Sequence, residues 1–333
     1  VGRASRERHR LDRQGRETGG VTRVGVIAPH EIPLHELPSF APELTALGYT
    51  DFWAGESDRA DGITPLALVA AADSRLALGT AIVPVYTRGR ALLAQTAATL
   101  ASAAPGRVTF GIGASSPAIV ESWNGLTFRD PLARVRDTMR TLRAALAGER
   151  IDGGFRLGAP PPVPPALAVG ALQPQMLRLA GREGDGVVLT SLAATDVAPL
   201  LELVEPVRSD FAVIAWVTVC VVDDRSALDH ALNVARRRVG RYLLTPTYAR
   251  YHRTLGRGAL LDRMGSNVDD APDELIREIV VIGSTEECRD QLRAFVTAGV
   301  TTLLYEVLPG VGDLRETLRA LAPHTWVEGA QGG

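Results

Sequence analysis

From residue 22 onward, short apolar runs alternate with stretches whose apolar residues recur at helical spacing. The runs at 23–28, 50–54, 76–83, 107–112, 166–169, 186–190, 211–222 and 301–307 have the length and composition of buried strands. Between and after them, helical patterns fall at 40–47, 65–72, 91–103, 131–146, 176–180, 197–204, from 226 into the 240s, at 286–298 and at 314–321. The stretch 131–146 shows the spacing plainly, with Leu132, Val135, Met139, Leu142 and Leu146 on one face. Eight strands, each followed by helical sequence, imply an α/β protein with a parallel sheet. Closed once, that sheet is a single (β/α)8 TIM barrel; left open, it is a doubly wound sheet. A long irregular segment at 243–281, between strands seven and eight, reads as an insertion packed over the barrel mouth or as a surface excursion. The barrel is expected over 22–325, with a flexible tail at 326–333.

Composition narrows the chemistry. The chain has 333 residues, 46% of them hydrophobic, enough for one large barrel. A net charge of −2 gives no field that calls for nucleic acid or an acidic membrane surface. All 36 basic residues are arginine, which excludes a lysine Schiff base, a P-loop lysine and a lysine general base. Cys220 and Cys288 lack metal-ligand spacing and read as buried thiols of a protein kept in a reducing cytoplasm. The longest apolar run, 211–222, is too short to span a bilayer as a helix. Residues 1–21 are polar and arginine-rich and are expected to be a disordered leader; Val21 is a candidate native start.

In parallel barrels, ligands bind where strands end. The first strand ends near His30, which can hydrogen-bond a ring or shuttle a proton, or be a solvated loop residue. The second ends at Gly55-Glu56-Ser57-Asp58, where Glu56 is the best-placed carboxylate, as an acid/base group or as a cap or salt-bridge partner. The fourth runs into 111–125, beginning Gly111-Ile112-Gly113-Ala114-Ser115-Ser116. Its glycines and serines expose backbone N–H groups and hydroxyls before a helix. It does not complete a dinucleotide fingerprint and can equally be a tight strand-to-helix turn. Zinc spacing, a nucleophile elbow and a Walker A motif are absent from the sequence. Asp269, Asp270, Asp273 and Glu274 read as a helix start, and Arg236-Arg237-Arg238 as a solvated helix face.

Together with Leu78-Gly79-Thr80-Ala81-Ile82-Val83-Pro84, Val169-Gly170-Ala171-Leu172-Gln173-Pro174 and Asp185-Gly186-Val187-Val188-Leu189-Thr190-Ser191, the 111–125 string resembles the luciferase-like flavin and deazaflavin oxidoreductases. It is most similar to the actinobacterial branch that uses coenzyme F420. The resemblance runs from about 24 to 321 and implies an enzyme that moves hydride between F420 and a small organic substrate, with a homodimer as the expected assembly. It places a non-prolyl cis peptide at Thr80–Ala81, under the ring system. It brings Gly113, Ala114, Ser115, Ser116, Gly170 and Ala171 close to the cofactor, and aims the hydroxyls of Thr190 and Ser191 at its phosphate tail. Ser57 stands where several relatives carry a histidine, which leaves Glu56 or His30 to handle the proton. Ala193 or Ala194 stands where some carry a lysine, so arginines such as Arg250, Arg253 or Arg257, or backbone N–H groups, must supply positive charge. An FMN-dependent monooxygenase on the same barrel is the second reading, and a non-catalytic flavin-binding protein the third.

Overall fold

The computed structural model describes residues 23–327. The expected leader and most of the expected tail lie outside them. Ten strands form one parallel sheet. In chain order they are β1 (Arg23–Ile27), β2 (Asp51–Ala54), β3 (Ala77–Thr80), β4 (Val83–Pro84), β5 (Val108–Gly113), β6 (Ala166–Gly170), β7 (Gly186–Thr190), β8 (Ala212–Val221), β9 (Val280–Gly283) and β10 (Thr302–Val307). Each neighbour pair runs parallel, and β10 closes the ring by pairing with β1 on one side and with β8 on the other, Glu306 opposite Thr218. The expected single strand at 76–83 is one barrel stave in two pieces: β3 pairs with the start of β5 and β4 with its end. The cis peptide lies between them at Ala81–Ile82, one bond later than the expected Thr80–Ala81. Counted this way, the barrel has the eight staves expected, and β9 is an additional strand on the protruding end of β8.

Outside 243–281 the helices fall where the periodicity puts them. In chain order the helices are α1 (Leu37–Ala46), α2 (Thr64–Ala72), α3 (Arg90–Ala103), α4 (Pro131–Leu146), α5 (Pro174–Glu183), α6 (Ala194–Val204), α7 (Leu228–Leu243), α8 (Pro246–Thr254), α9 (Gly258–Met264), α10 (Asp273–Ile279), α11 (Thr285–Thr297) and α12 (Leu314–Ala320). On α4 the expected stripe holds, with Val135, Met139, Leu142 and Leu146 buried against the barrel. The helix expected after β5 is a short π-helical turn, Ala118–Trp123. The segment 243–281 is not irregular: α8, α9 and α10 and then β9 occupy it. Its apolar residues, among them Leu261, Met264, Leu275 and Ile276, form a separate small core with α7. Each of these helices is short, so periodicity over their length is weak.

Inside the barrel, Ile27, Trp53, Ala81, Ala168, Val188, Ile214 and Leu304 fill the ring, with Ile82 and Trp216 above them. Small residues face these large ones. A Cβ on Gly79 would lie 2.3 Å from the Trp53 ring, so only glycine admits the indole there. At the lower end, buried Asp51 accepts from the Trp53 indole at 3.0 Å and from Arg23 Nε at 3.0 Å. In such barrels the lower end carries stability and the upper end carries chemistry. Among the described residues no helix is long and apolar enough to cross a membrane.

Candidate active site

The upper mouth has two unlike halves. One is built from the ends of β5, β6 and β7, where Gly113, Ala114, Gly170 and Ala171 leave the wall low. Ile82 leans over it: Cβ atoms on Gly113 and Gly170 would each come within 2.9 Å of the Ile82 side chain. Two serines follow the strands in the left-handed region, Ser115 at φ 64° and Ser191 at φ 53°. Such a conformation turns the chain sharply, and outside glycine it is uncommon enough to mark a built turn. Ser115, Ser116, Thr190 and Ser191 are half-buried. A Ser116 hydroxyl oxygen accepts from the Ile119 N–H at 3.4 Å, which starts the π-helical turn. Thr80 and Ala81, expected to line this half, lie beneath it. Thr80 is fully buried and its hydroxyl donates to the Gly111 carbonyl at 2.7 Å, while Ala81 belongs to the barrel interior. The residue presented at this bend is Ile82, which the sequence reading did not single out.

The loop after β7 is braced from above. Asp196, in the first turn of α6, accepts from the Ala193 N–H at 2.7 Å and from Arg257 Nη2 at 2.8 Å. Arg257 is buried and also donates to Glu278 at 2.6 Å. Across the mouth, the Gln173 amide after β6 donates to the Thr247 carbonyl at the start of α8, at 3.0 Å. The insertion therefore packs against the loops after β6 and β7. Of the three arginines expected to supply charge there, Arg257 is spent on Asp196 and Glu278, Arg253 pairs with Asp262, and Arg250 is exposed.

The other half is aromatic and charged. Trp216 faces Thr190 across the β7–β8 pairing, and a Cβ on Gly55 would lie 3.1 Å from its ring. Its indole N–H donates to Glu306 Oε2 at 3.1 Å. The Thr218 hydroxyl donates to the same oxygen at 3.3 Å. Arg238 of α7 holds the other oxygen through Nε, at 3.1 Å, and Nη2. Arg238 is thus not part of a solvated face, and neither is Arg236, whose side chain is 15% exposed and donates to the Ala271 carbonyl at 2.8 Å; only Arg237 of the three turns outward, to Asp269. Arg238 also lies 5.5 Å from the centroid of the Tyr242 ring, which packs on Tyr248 at 5.4 Å. Trp216, Glu306 and the two tyrosines escaped the sequence reading, and Arg238 entered it only as part of a solvated face, because the five come from three separate segments and match no motif.

The two expected proton carriers sit on the rim in different states. Glu56 is held by Arg88 at 2.7 Å and accepts from the Gly62 N–H at 3.2 Å. His30 is exposed at the rim, yet nearby protein bulk and the positive charge of Arg59 hold its pKa below the ordinary imidazole value. Among the described residues no hydrogen bond engages its ring. Ser57 is exposed and donates to Asp58 at 3.0 Å. The cysteines are remote from this rim in role: both are buried, with burial pushing Cys220 up to about 11 and Cys288 up to about 12. Among the described residues no three His, Cys, Asp or Glu side chains converge as a metal site would require.

Known proteins share both the sequence and the shape. A profile of the luciferase-like monooxygenase family matches residues 15–302. A Mycobacterium tuberculosis protein named as a coenzyme F420-dependent oxidoreductase is 25% identical over 319 residues, covering 82% of this chain and 90% of that one. An F420-dependent glucose-6-phosphate dehydrogenase of Beutenbergia cavernae is 38% identical over 152 residues, 42% of this chain and 45% of its own length. In three dimensions, an F420-dependent secondary alcohol dehydrogenase superposes with a TM-score of 0.75 at 17% identity, over 94% of this chain and all of that one. The closed barrel, the mouth assembled at its strand ends and these matches agree: the chain belongs to the luciferase-like monooxygenase family, in the branch whose relatives are F420-dependent oxidoreductases.

Proposed function

We propose that this enzyme transfers hydride between coenzyme F420 and a small organic substrate whose reacting carbon carries a hydroxyl or carbonyl oxygen. The observation that carries the reading is the low half of the mouth: small residues after β5 and β6, Ile82 leaning over them, and hydroxyls after β5 and β7. A flat ring system fits such a wall, because glycine and alanine let it approach the backbone. Gly113, Ala114, Gly170 and Ala171 would hold the ring, and Ser115, Ser116, Thr190 and Ser191 the tail. The tail's negative charge would meet serine and threonine hydroxyls and backbone N–H groups, since Arg253 and Arg257 are already paired. The names of several relatives, which act on a secondary alcohol or on glucose 6-phosphate, support an oxygen-bearing carbon.

When bound, a deazaflavin supplies hydride acceptance and donation at a ring carbon. The chain supplies position, water exclusion and the proton. Oxidation of an alcohol releases one hydride from carbon and one proton from oxygen. We assign the proton to a ring nitrogen of His30, which is held neutral and has no competing partner among the described residues. Glu56 is assigned the anchoring of Arg88 and of the loop to Gly62, since its oxygens already receive both.

Parallel titrations with F420 and FMN test the reading. F420 should bind the more tightly. Tighter binding of FMN, undisturbed by F420, would replace the proposal with a flavin monooxygenase on this barrel.

A further inference from the structure

Arg134, in the first turn of α4, is a half-buried cation that no ion pair engages among the described residues. Its Nε donates to the Val85 carbonyl at 3.3 Å, and its guanidinium carbon lies 5.5 Å from the centroid of the Tyr86 ring. Tyr86 packs in turn on Phe128, with ring centroids 5.1 Å apart, and its hydroxyl donates to the Arg129 carbonyl. These contacts take one edge and the face of the guanidinium. Among the described residues no hydrogen bond engages Nη1 or Nη2, and Arg134 borders an open cavity of about 430 Å³. Tyr86, Leu126, Thr127 and Arg129 complete its lining, so both charged residues there are arginines. Arg129 is exposed and likewise in no ion pair among the described residues. Two carboxylates stand close by. Burial raises the Tyr86 pKa, Arg134 opposes that shift and Asp130 adds to it, so both charges lie near the phenol. Glu121 accepts from the Phe128 N–H at 3.1 Å. Neither carboxylate pairs with Arg129 or Arg134.

The cavity adjoins the low half of the mouth. Val85, whose carbonyl holds Arg134, directly follows β4, and its N–H donates to the Gly113 carbonyl at 3.0 Å. Two hydrogen bonds thus tie Arg134 to the strand end on which the ring is placed above. Leu126 and Thr127 belong to the segment that leaves β5 through Ala114, Ser115 and Ser116. Other arginines around the barrel mouth are committed: Arg238 to Glu306, Arg88 to Glu56, and Arg257 to Asp196 and Glu278. The chain has no lysine to add. A guanidinium whose two terminal nitrogens are open can donate in parallel to two oxygens of one carboxylate or phosphate. Half-buried, it has already lost part of its hydration, and an anion there is screened less than at the surface.

Resting on the F420 reading above, we propose that this cavity is an oxyanion subsite for the coenzyme's tail, with Arg134 as the fork that grips it and Arg129 as a second positive charge. The hydroxyls after β5 and β7 offer the tail hydrogen bonds without charge; Arg134 supplies the charge. The tail carries two kinds of oxyanion, a phosphate near the ring and carboxylates beyond it, and the fork suits either. Arg134 binds and orients, and takes no part in moving hydride or proton.

The test uses the full chain and measures binding by calorimetry, apart from turnover. Three ligands are compared: F420, the deazariboflavin that lacks any tail, and the same compound bearing only a terminal phosphate. Arg134→Met should weaken F420 about tenfold while the tail-less compound stays within twofold, and Arg134→Lys, which keeps the charge but not the fork, should fall between. A loss shared by the phosphate-only compound assigns the fork to the phosphate; a loss confined to F420 assigns it to a carboxylate. F420 affinity unmoved in Arg134→Met, or the tail-less compound weakened as much as F420, would overturn the subsite. If Arg134→Met does not fold, Arg129→Gln decides, because that side chain is exposed. F420 should then weaken about threefold with the tail-less compound unchanged, and equal F420 affinity counts against the subsite. Failure of the parent reading looks different: neither F420 nor the tail-less compound binds the unaltered protein.

Discussion

Arg257, from the insertion, and Asp196, from the first turn of α6, meet at 2.8 Å with only 4% and 8% of their side chains exposed. The pair joins the cap of the barrel to the loop that begins at Thr190 and Ser191. Without it, the Ala193 N–H would be the remaining partner of the Asp196 carboxylate within that contact. The insertion is thus an energetic part of the proposed phosphate-facing loop as well as a cover.

Breaking that pair should be expensive. Arg257→Met leaves Asp196 buried with its charge uncompensated, a change that typically costs about 3–5 kcal/mol. Urea unfolding should show the loss, and F420 affinity should fall with it. Combining Arg257→Met with Asp196→Asn should recover part of both. A single variant with unchanged midpoint and unchanged affinity would mean that the insertion and the loop are energetically independent.

The hydroxyls after β7 give the second prediction. Replacing Thr190 and Ser191 together by alanine removes two donors to a charged acceptor, each contributing roughly 1.5–3 kcal/mol. F420 affinity should drop tenfold or more, with the unfolding midpoint little changed. Equal affinity in the double variant would put the phosphate elsewhere on the rim.

His30 and Glu56 should separate in a pH profile. The His30 pKa lies below the ordinary value of 6.5, so the imidazole is neutral at pH 7 and can accept a proton. In the direction that consumes an alcohol, the rate should hold at neutral pH and fall as acid protonates the ring. His30→Gln should lose that limb and about 10²–10⁴-fold in turnover. Glu56→Gln should keep the limb, since its carboxylate serves Arg88. If instead the limb disappears only with Glu56→Gln, the two roles must be exchanged.

A fourth prediction concerns stability in acid. His252 is fully buried, and burial and the charge of Arg257 push its pKa down to about 3. Between that value and 6.5 the unfolded chain binds a proton at this position that the folded chain refuses. Stability from this group is therefore complete above pH 6.5 and declines as the pH falls toward 3, by up to about 1.4 kcal/mol per unit. His252→Phe, which cannot titrate, should flatten the decline in unfolding free energy over that window. An unaltered slope would show that other groups dominate acid unfolding.

Much of the barrel could be read along the chain. The strand runs, the α4 stripe and the glycine-rich turns are local patterns, and locality is what a linear sequence displays. The same holds for Gly113, Gly170 and Thr190, which end their strands in the expected order, for Ser191, which follows the last of them, and for His30 and Glu56, which lie just past the first two strands. The short helices α8, α9 and α10 were hidden because so few turns carry little periodic signal. The split of this stave into β3 and β4 was not seen, since apolar residues continue through it and only the pairing with both ends of β5 reveals it, and the cis peptide was placed one bond early.

Sequence alone thus determined the order of the staves, the ends at which chemistry could gather and the exclusion of lysine from it. Tertiary structure decided the commitments of the charged groups. Glu56 is joined to Arg88, 32 residues away, Asp196 to Arg257, 61 away, and Glu306 to Arg238, 68 away. A carboxylate's role depends on which guanidinium and how much water lie within a few ångströms of it. Those neighbours are brought by barrel closure and by the folding back of the insertion, and neither leaves a local mark in the order of residues.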